Sequence, residues 1–225
     1  MTLSHLVLTV IFMPRMYLSL NMKTRLLIIG AGGHGKVCAD IAYKMGKWDI
    51  IAFLDNDTSK KQVVGFSVID TAENAKEYYQ DSEFFVAIGD NEVRSKLFDE
   101  LKGKSIATLI HPSAIIGLEV MIDCGTVLMA NTVVNSGARI GKCCIINTAT
   151  TVDHDCNVGD FVHLSPGVSV AGNVQIGKYS WLGIGSTIIN NLEIADSVVI
   201  GGGACVISRI AKSGLFVGVP ARRLR

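Results

Sequence analysis

Two short stretches hold the residue types that could do chemistry. The first, Gly30-Ala-Gly-Gly-His-Gly-Lys-Val37, follows the apolar run 25–29 and spells two phosphate-binding signatures at once. These are G-x-G-x-x-G through Gly30, Gly32 and Gly35, and G-x-x-x-x-G-K through Gly30, Gly35 and Lys36. The second, Thr151-Val-Asp-His-Asp-Cys156, sets a histidine between two carboxylates. An imidazole oriented and made more basic by a neighbouring carboxylate is what proton transfer near neutral pH calls for. A merely solvated histidine has the same spacing, so spacing alone leaves both readings open.

The two phosphate signatures can be weighed. A triphosphatase loop needs a hydroxyl after its lysine to hold magnesium, and this sequence offers Val37. A dinucleotide fold uses two mononucleotide halves, whereas the region 23–109 has room for one. Asp55 lies near the distance at which such a fold places its ribose-binding acid. The loop therefore suits something smaller than NAD, or is a tight strand-to-helix turn with no ligand.

The elements that must position these residues follow from periodicity. Run 25–29 reads as a strand, and Val37, Ile41, Ala42 and Met45 recur at helical spacing until Gly46. Runs 50–54 and 84–88 read as further strands, ending in Asp55-Asn56-Asp57 and Gly89-Asp90-Asn91. Val93, Leu97, Phe98 and Leu101 mark a second helix. Strands alternating with helices imply a parallel sheet that binds ligands beyond the carboxyl ends of its strands, where residues 32–34, 55–56 and 89–91 lie.

From Ile110 onward, every sixth residue is aliphatic: seventeen positions through Val206 without a break. Thr, Ala, Val, Cys or Ser stands two residues earlier in sixteen of them, the exception being Leu192. This is the hexapeptide pattern of a left-handed parallel β-helix, three hexads to a coil. Seventeen hexads make nearly six coils, and at about 4.8 Å per stacked strand the prism is on the order of 28 Å long. Cys144 and Cys156 fall at the small inward position, so they read as packing residues, not nucleophiles. His163 precedes Leu164 and should point out of a face. His154 and His163, nine residues apart, should not share an edge, which leaves too few ligands for a three-histidine zinc site; no metal is expected.

The chain thus divides into residues 1–22, an α/β half-Rossmann-like domain over 23–109, a β-helix over 110–211 and a basic tail over 212–225. The run 6–13, ended by Pro14, is too short to span a bilayer and lacks the basic flank of a secretory signal, so residues 1–22 are expected to be dispensable, with no stable membrane insertion. Among 225 residues, 49% are hydrophobic and 18% charged, and a formal net charge of +1 gives no bias toward nucleic acid. Six cysteines without a C-x-x-C pair fit reduced thiols in a cytoplasmic protein.

The segments GAGGHGK, FLDND, AIGDNEVR, NTATTVDHDC, FVHLSPGVSVAGNVQIG, GGGA and FVGVPARR, in this order and spacing, resemble the acyltransferases that acetylate nucleotide-linked amino sugars. The pattern is nearest the UDP-4-amino-sugar N-acetyltransferases of bacillosamine type and the sialic acid O-acetyltransferases, and covers residues 23–223. The resemblance implies a homotrimer for bacterial glycan biosynthesis, with acetyl-CoA in the groove between neighbouring prisms. It places the UDP part of a UDP-linked amino sugar at Gly32, Gly33, His34, Asp55, Asn56 and Gly89, and makes His154 the general base with Asp155 beside it. His163, Ile184 and Gly202 match positions that contact acetyl-CoA. Two alternatives stay open: an O-acetyltransferase acting on a sugar hydroxyl, and a non-catalytic trimeric nucleotide-binding scaffold.

Overall fold

The computed structural model describes residues 24–224; the expectation for residues 1–22 lies outside the described residues. The N-terminal part carries β1 (Arg25–Ile29), α1 (Gly33–Met45), β2 (Ile50–Leu54), β3 (Gln62–Val63), β4 (Phe66–Asp70), β5 (Glu83–Val86) and α2 (Asn91–Glu100). Its sheet runs β3-β4-β2-β1-β5, parallel except for the β3–β4 hairpin at one edge. Strand order reverses between β1 and β5, so their carboxyl ends form the switch-point crevice where such sheets bind ligands.

Both helices bury most of the stripe the apolar spacing suggested, Ile41, Ala42 and Met45 for α1 and Leu97 and Leu101 for α2, but turn its first residue outward. α1 buries Gly35, Cys38, Ala39, Ile41 and Ala42, leaving Val37 41% exposed. The buried residues of α2 are Arg94 and Ser95, while Val93 is exposed. The reason is tertiary: while Leu97 and Leu101 pack under the sheet, α2 also meets the second domain through Asn91, Arg94 and the Phe98–Phe161 ring contact.

That second domain is the prism. Every strand pairs in parallel with the one eighteen residues on, as in Ile145↔His163↔Trp181↔Val199. The first face starts at Leu109–Ile110, the second at Ile115–Ile116 and the third at Met121–Ile122. They hold six, six and five coil strands, which accounts for all seventeen hexads. From Leu128 to Val206 the periodic aliphatics are at most 3% exposed. Ile116 at the open end of the first coil is 40% exposed, because no coil stacks above it. At the small inward positions, buried hydroxyls and thiols donate to a carbonyl fifteen residues on: Thr150 to Ser165 at 3.0 Å and Cys156 to Ala171 at 3.2 Å. Cys144 and Cys156 are thus bonded packing groups, and burial pushes both thiols up, Cys144 to about 12.

The corners turn by the same rule. A residue with left-handed backbone recurs every six positions from Glu119 to Gly203, including Asp155 at φ 59°. Asn, Asp and Gly tolerate this conformation best. Phe161 and Tyr179 also adopt it, and their rings stack at 5.2 Å where the third face meets the first.

The basic segment expected as a tail continues the prism instead: Gly214–Val217 pairs in parallel with Val198–Ile200, and Arg222–Arg223 returns antiparallel on it. This closing strand covers the edge of the first face. At the other end the two domains share one apolar core in which Cys38, Ile41 and Ala42 of α1 meet Leu109, Val127 and Ile145 of the first face, so the sheet is held rigidly on the prism. Among the described residues, no helix is long and apolar enough to cross a membrane.

Candidate active site

The glycine loop separates into two kinds of glycine. Gly35 is structural, since a Cβ there would lie 2.0 Å from the Gly30 carbonyl oxygen. Gly30 has φ +102°, and a Cβ would lie 2.7 Å from the Ile88 side chain. At Gly32, Gly33 and Gly89, by contrast, an added Cβ meets nothing within 4 Å. The three glycines predicted to touch a nucleotide therefore face open space at the switch point. α1 begins at Gly33 with no acidic residue in its first turn, leaving its N-terminal amides suited to an anion.

The strand-end acids hold this loop in shape. Asp55 accepts the Ala31 N–H at 2.6 Å and the Asp57 N–H at 2.9 Å, and Lys60 Nζ is 3.2 Å away. Burial alone would raise its carboxyl, but those two N–H groups and Lys60 outweigh it and hold Asp55 below the usual carboxylate range. Asn56 accepts from the Ala72 N–H, so its oxygen orders the start of the 3-10 helix Ala72–Tyr78.

His34 and His163, placed by sequence in different subsites, come together at the domain joint. His34 lies over α1 with Cys38 Sγ 3.7 Å from its Nε2. Burial, then the nearby His163 and Arg94, bring its pKa down to about 3. His163 does point out of the first face, but the N-terminal domain half-covers it. Burial and then Arg94 lower it to about 4. Both imidazoles are neutral at physiological pH. His163 stacks on Trp181 at 5.8 Å, and the two line a cavity of about 390 Å³ with Gly89, Asp90, Asn91, Glu92, Tyr179 and Val199. Down the first face, Val127 and Ile145 are buried beneath α1, His163 marks the boundary, and Trp181 is 50% exposed. Ile184 and Gly202 stack on each other at the next corner, where a Cβ on Gly202 would lie 3.2 Å from Ile184.

His154 and Asp155 stand elsewhere, on the corner between the second and third faces. The left-handed turn at Asp155 brings its Oδ2 2.8 Å from His154 Nδ1. Asp153 accepts the His154 backbone N–H and an N–H of the Asn135 amide, both at 2.8 Å. The hydrogen bond to Asp155 and then the charge of Asp153 raise the His154 pKa above its ordinary value. With Nδ1 held by the carboxylate, Nε2 is left as the proton acceptor, and it lies over Gly172 one coil below. Among the described residues His163 has no carboxylate partner; the Asn147 amide nitrogen lies 3.4 Å from its Nε2.

Three residues at the site, Arg94, Trp181 and Gly172, escaped the sequence reading, and Asn91, which it placed only at a strand end, proves to bridge the two domains. Asn91 donates to the Tyr179 and Ser180 carbonyls, and Arg94 makes five hydrogen bonds, two of them across the joint to the Cys143 and Phe161 carbonyls and three within its own domain. Trp181 is findable by stepping eighteen from His163, and Gly172 by stepping eighteen from His154. Nothing in the local pattern marks Arg94 as buried.

A half-Rossmann sheet whose switch point opens onto the face of a left-handed hexapeptide prism defines a class of acyltransferase, and comparison with known proteins agrees. Residues 25–101 match the PglD N-terminal domain. The UDP-N-acetylbacillosamine N-acetyltransferase of Bacillus subtilis (strain 168) is 35% identical over 119 residues, which are 46% of this chain and 50% of that protein. The chain spans about half the length of the curated relatives it matches. The acetyltransferase domain of PglB from Neisseria gonorrhoeae FA1090, solved with acetyl coenzyme A, is 37% identical with a TM-score of 0.86, covering 89% of this chain and 98% of that one. PerB from Caulobacter crescentus, solved with CoA and GDP-perosamine, is 35% identical with a TM-score of 0.84, covering 89% and 97%. The chain belongs to this family of hexapeptide-repeat sugar acetyltransferases.

Proposed function

We propose that the protein transfers the acetyl group of acetyl-CoA to the amine of a nucleotide-linked 4-amino-4,6-dideoxy sugar, UDP-linked, in bacterial glycan biosynthesis in the cytoplasm. The observation that carries this reading is the His154–Asp155 pair, which leaves one free, basic imidazole nitrogen at an exposed corner. The sugar amine adds to the thioester carbonyl while His154 Nε2 takes its proton. The C–S bond then breaks, and CoA leaves as the thiol after receiving a proton. No acyl-enzyme is needed, consistent with the bonded, high-pKa Cys144 and Cys156.

The placement of the groups supports a trimeric assembly. The nucleotide loop, His163 and the Ile184–Gly202 corner lie on or beside the first face, whereas His154 lies at the opposite corner of the second. Within one chain they stand on different corners of the prism. A ring of three chains, each setting its His154 corner beside the first face of the next, completes the site in a closed symmetric way. Acetyl-CoA would then run along the groove between prisms, past His163, Ile184 and Gly202.

Thiol release from acetyl-CoA, measured with UDP- and GDP-linked 4-amino sugars, a hydroxyl-bearing UDP sugar and free sialic acid, tests the reading. Turnover confined to a UDP-linked amine supports it. Preference for the GDP sugar corrects the nucleotide, transfer to a hydroxyl moves the protein to the O-acetyltransferases, and no release with any acceptor ends the assignment.

A further inference from the structure

The least expected group in the molecule is a buried cation that hydrogen-bonds to no carboxylate. Arg94 is 1% exposed, and its five acceptors are all neutral. Nε donates to the Cys143 carbonyl at 2.7 Å. Nη1 donates to the Ile88 and Gly89 carbonyls at 2.9 and 3.0 Å. Nη2 donates to Asn91 Oδ1 at 2.6 Å and to the Phe161 carbonyl at 3.0 Å. Cys143 and Phe161 belong to the prism; Ile88, Gly89 and Asn91 form the loop at the carboxyl end of β5.

Burying a guanidinium is costly unless every donor is used, and an apolar side chain would pack this joint at less expense. Simple adhesion does not require a charge either, since the joint already has a shared apolar core and the Phe98–Phe161–Tyr179 ring contacts. What a planar fork does better is fix geometry, because its bonds run in set directions to both partners.

We propose that Arg94 is a positioning residue for the nucleotide sugar: it locks the loop at Gly89 onto the third–first corner and holds His34 and His163 in register across the joint. This rests on the reading of the glycine loop as a nucleotide site. The charged and titratable groups around the guanidinium are Asp90, Cys38, Cys143 and Cys144, with His34 and His163 beyond. A permanent cation there disfavours protonation of both histidines, so the joint presents uncharged imidazoles to substrate.

The test separates position from charge. Arg94→Lys keeps the cation and loses the fork. Hydrogen exchange at amides 87–91 is expected to accelerate at least about tenfold, the factor of one lost charge-assisted bond, with β1 unchanged. UDP or GDP affinity by calorimetry should fall by about the same factor, and CoA affinity by less than about twofold. Arg94→Gln removes the charge, and the His34 and His163 ring titrations should both move upward by NMR. Unchanged exchange at 87–91 in Arg94→Lys overturns the proposal, as does an equal loss of nucleotide and CoA affinity. If the wild-type protein binds neither UDP nor GDP, the nucleotide reading fails by itself, and the exchange experiment still decides the clamp.

Discussion

Gly172→Ala should disable the protein without unfolding it. Gly172 lies eighteen residues after His154, directly below it on the same corner, and an added Cβ would sit 2.5 Å from His154 Nε2 and 2.7 Å from Cε1. Ordinary contact begins near 3.5 Å, so the ring must retreat by about 1 Å. The His154 side chain is 60% exposed and free to do so, and Gly172 has no positive φ to make alanine strained. The midpoint of thermal unfolding should therefore stay within about 2 °C of wild type. The retreating atom, however, is the one that accepts the amine proton in the proposed mechanism. A misplacement of about 1 Å in a reacting group costs on the order of 10²-fold, so kcat should fall by about that factor while both KM values hold.

The assay is the initial rate of thiol release from acetyl-CoA at saturating acceptor. A kcat within about threefold of wild type would refute the argument that Nε2 acts from its observed position. A double-mutant cycle removes the remaining ambiguity. If the methyl acts by moving His154, adding Gly172→Ala to His154→Ala should cost nothing further, because the group it displaces is gone.

The remaining predictions concern the same pair and the glycine loop. His154→Ala should lower kcat by about 10²–10⁴-fold with little change in either KM, and retention of near wild-type turnover would remove the residue from the mechanism. Asp155→Asn should move the acid limb of the pH–rate profile downward. The base works unprotonated, so activity is lost as pH falls through a pKa that the Asp155 hydrogen bond raises. A limb that stays in place would mean that the 2.8 Å pair does not exist in the working enzyme. Gly35→Ala, whose Cβ would collide with the Gly30 carbonyl oxygen, should destabilise by about 1–3 kcal/mol and lower the unfolding midpoint. Gly33→Ala should hold or raise that midpoint, since alanine suits a helix better, yet weaken nucleotide binding by filling the approach; unimpaired UDP and GDP affinity would show that the loop is a turn only.

How much of this was legible depends on how local the cause is. The seventeen hexads could be read because each repeats one environment, an aliphatic pointing inward with a small residue two positions before it. The same regularity separated His154 from His163 correctly, since nine residues is half of an eighteen-residue coil. The faces of α1 and α2 were misread at Val37 and Val93 because a local apolar pattern cannot know that the neighbouring surface is a prism corner. Arg94 finds its acceptors 49 and 67 residues away, and on a largely polar helix it looks like any solvated arginine.

The glycine signature shows the same division inside six residues. Its ambiguity arose because a sequence motif does not distinguish glycines required by packing from glycines required by a ligand. Geometry makes the distinction: Gly30 and Gly35 are excluded from bearing a Cβ by the protein's own backbone and side chains, whereas Gly32, Gly33 and, on the neighbouring loop, Gly89 are not. Only the second group needs a ligand to explain it. The Asp55 carboxylate, which a dinucleotide reading reserves for ribose, is already occupied by the Ala31 and Asp57 N–H groups and Lys60. A ligand held here must therefore be recognised chiefly through phosphate at the open glycines and through contacts toward His34, His163 and the cavity beside Trp181. That direction leads onto the first face, where the proposed assembly would bring a neighbouring chain's His154 corner.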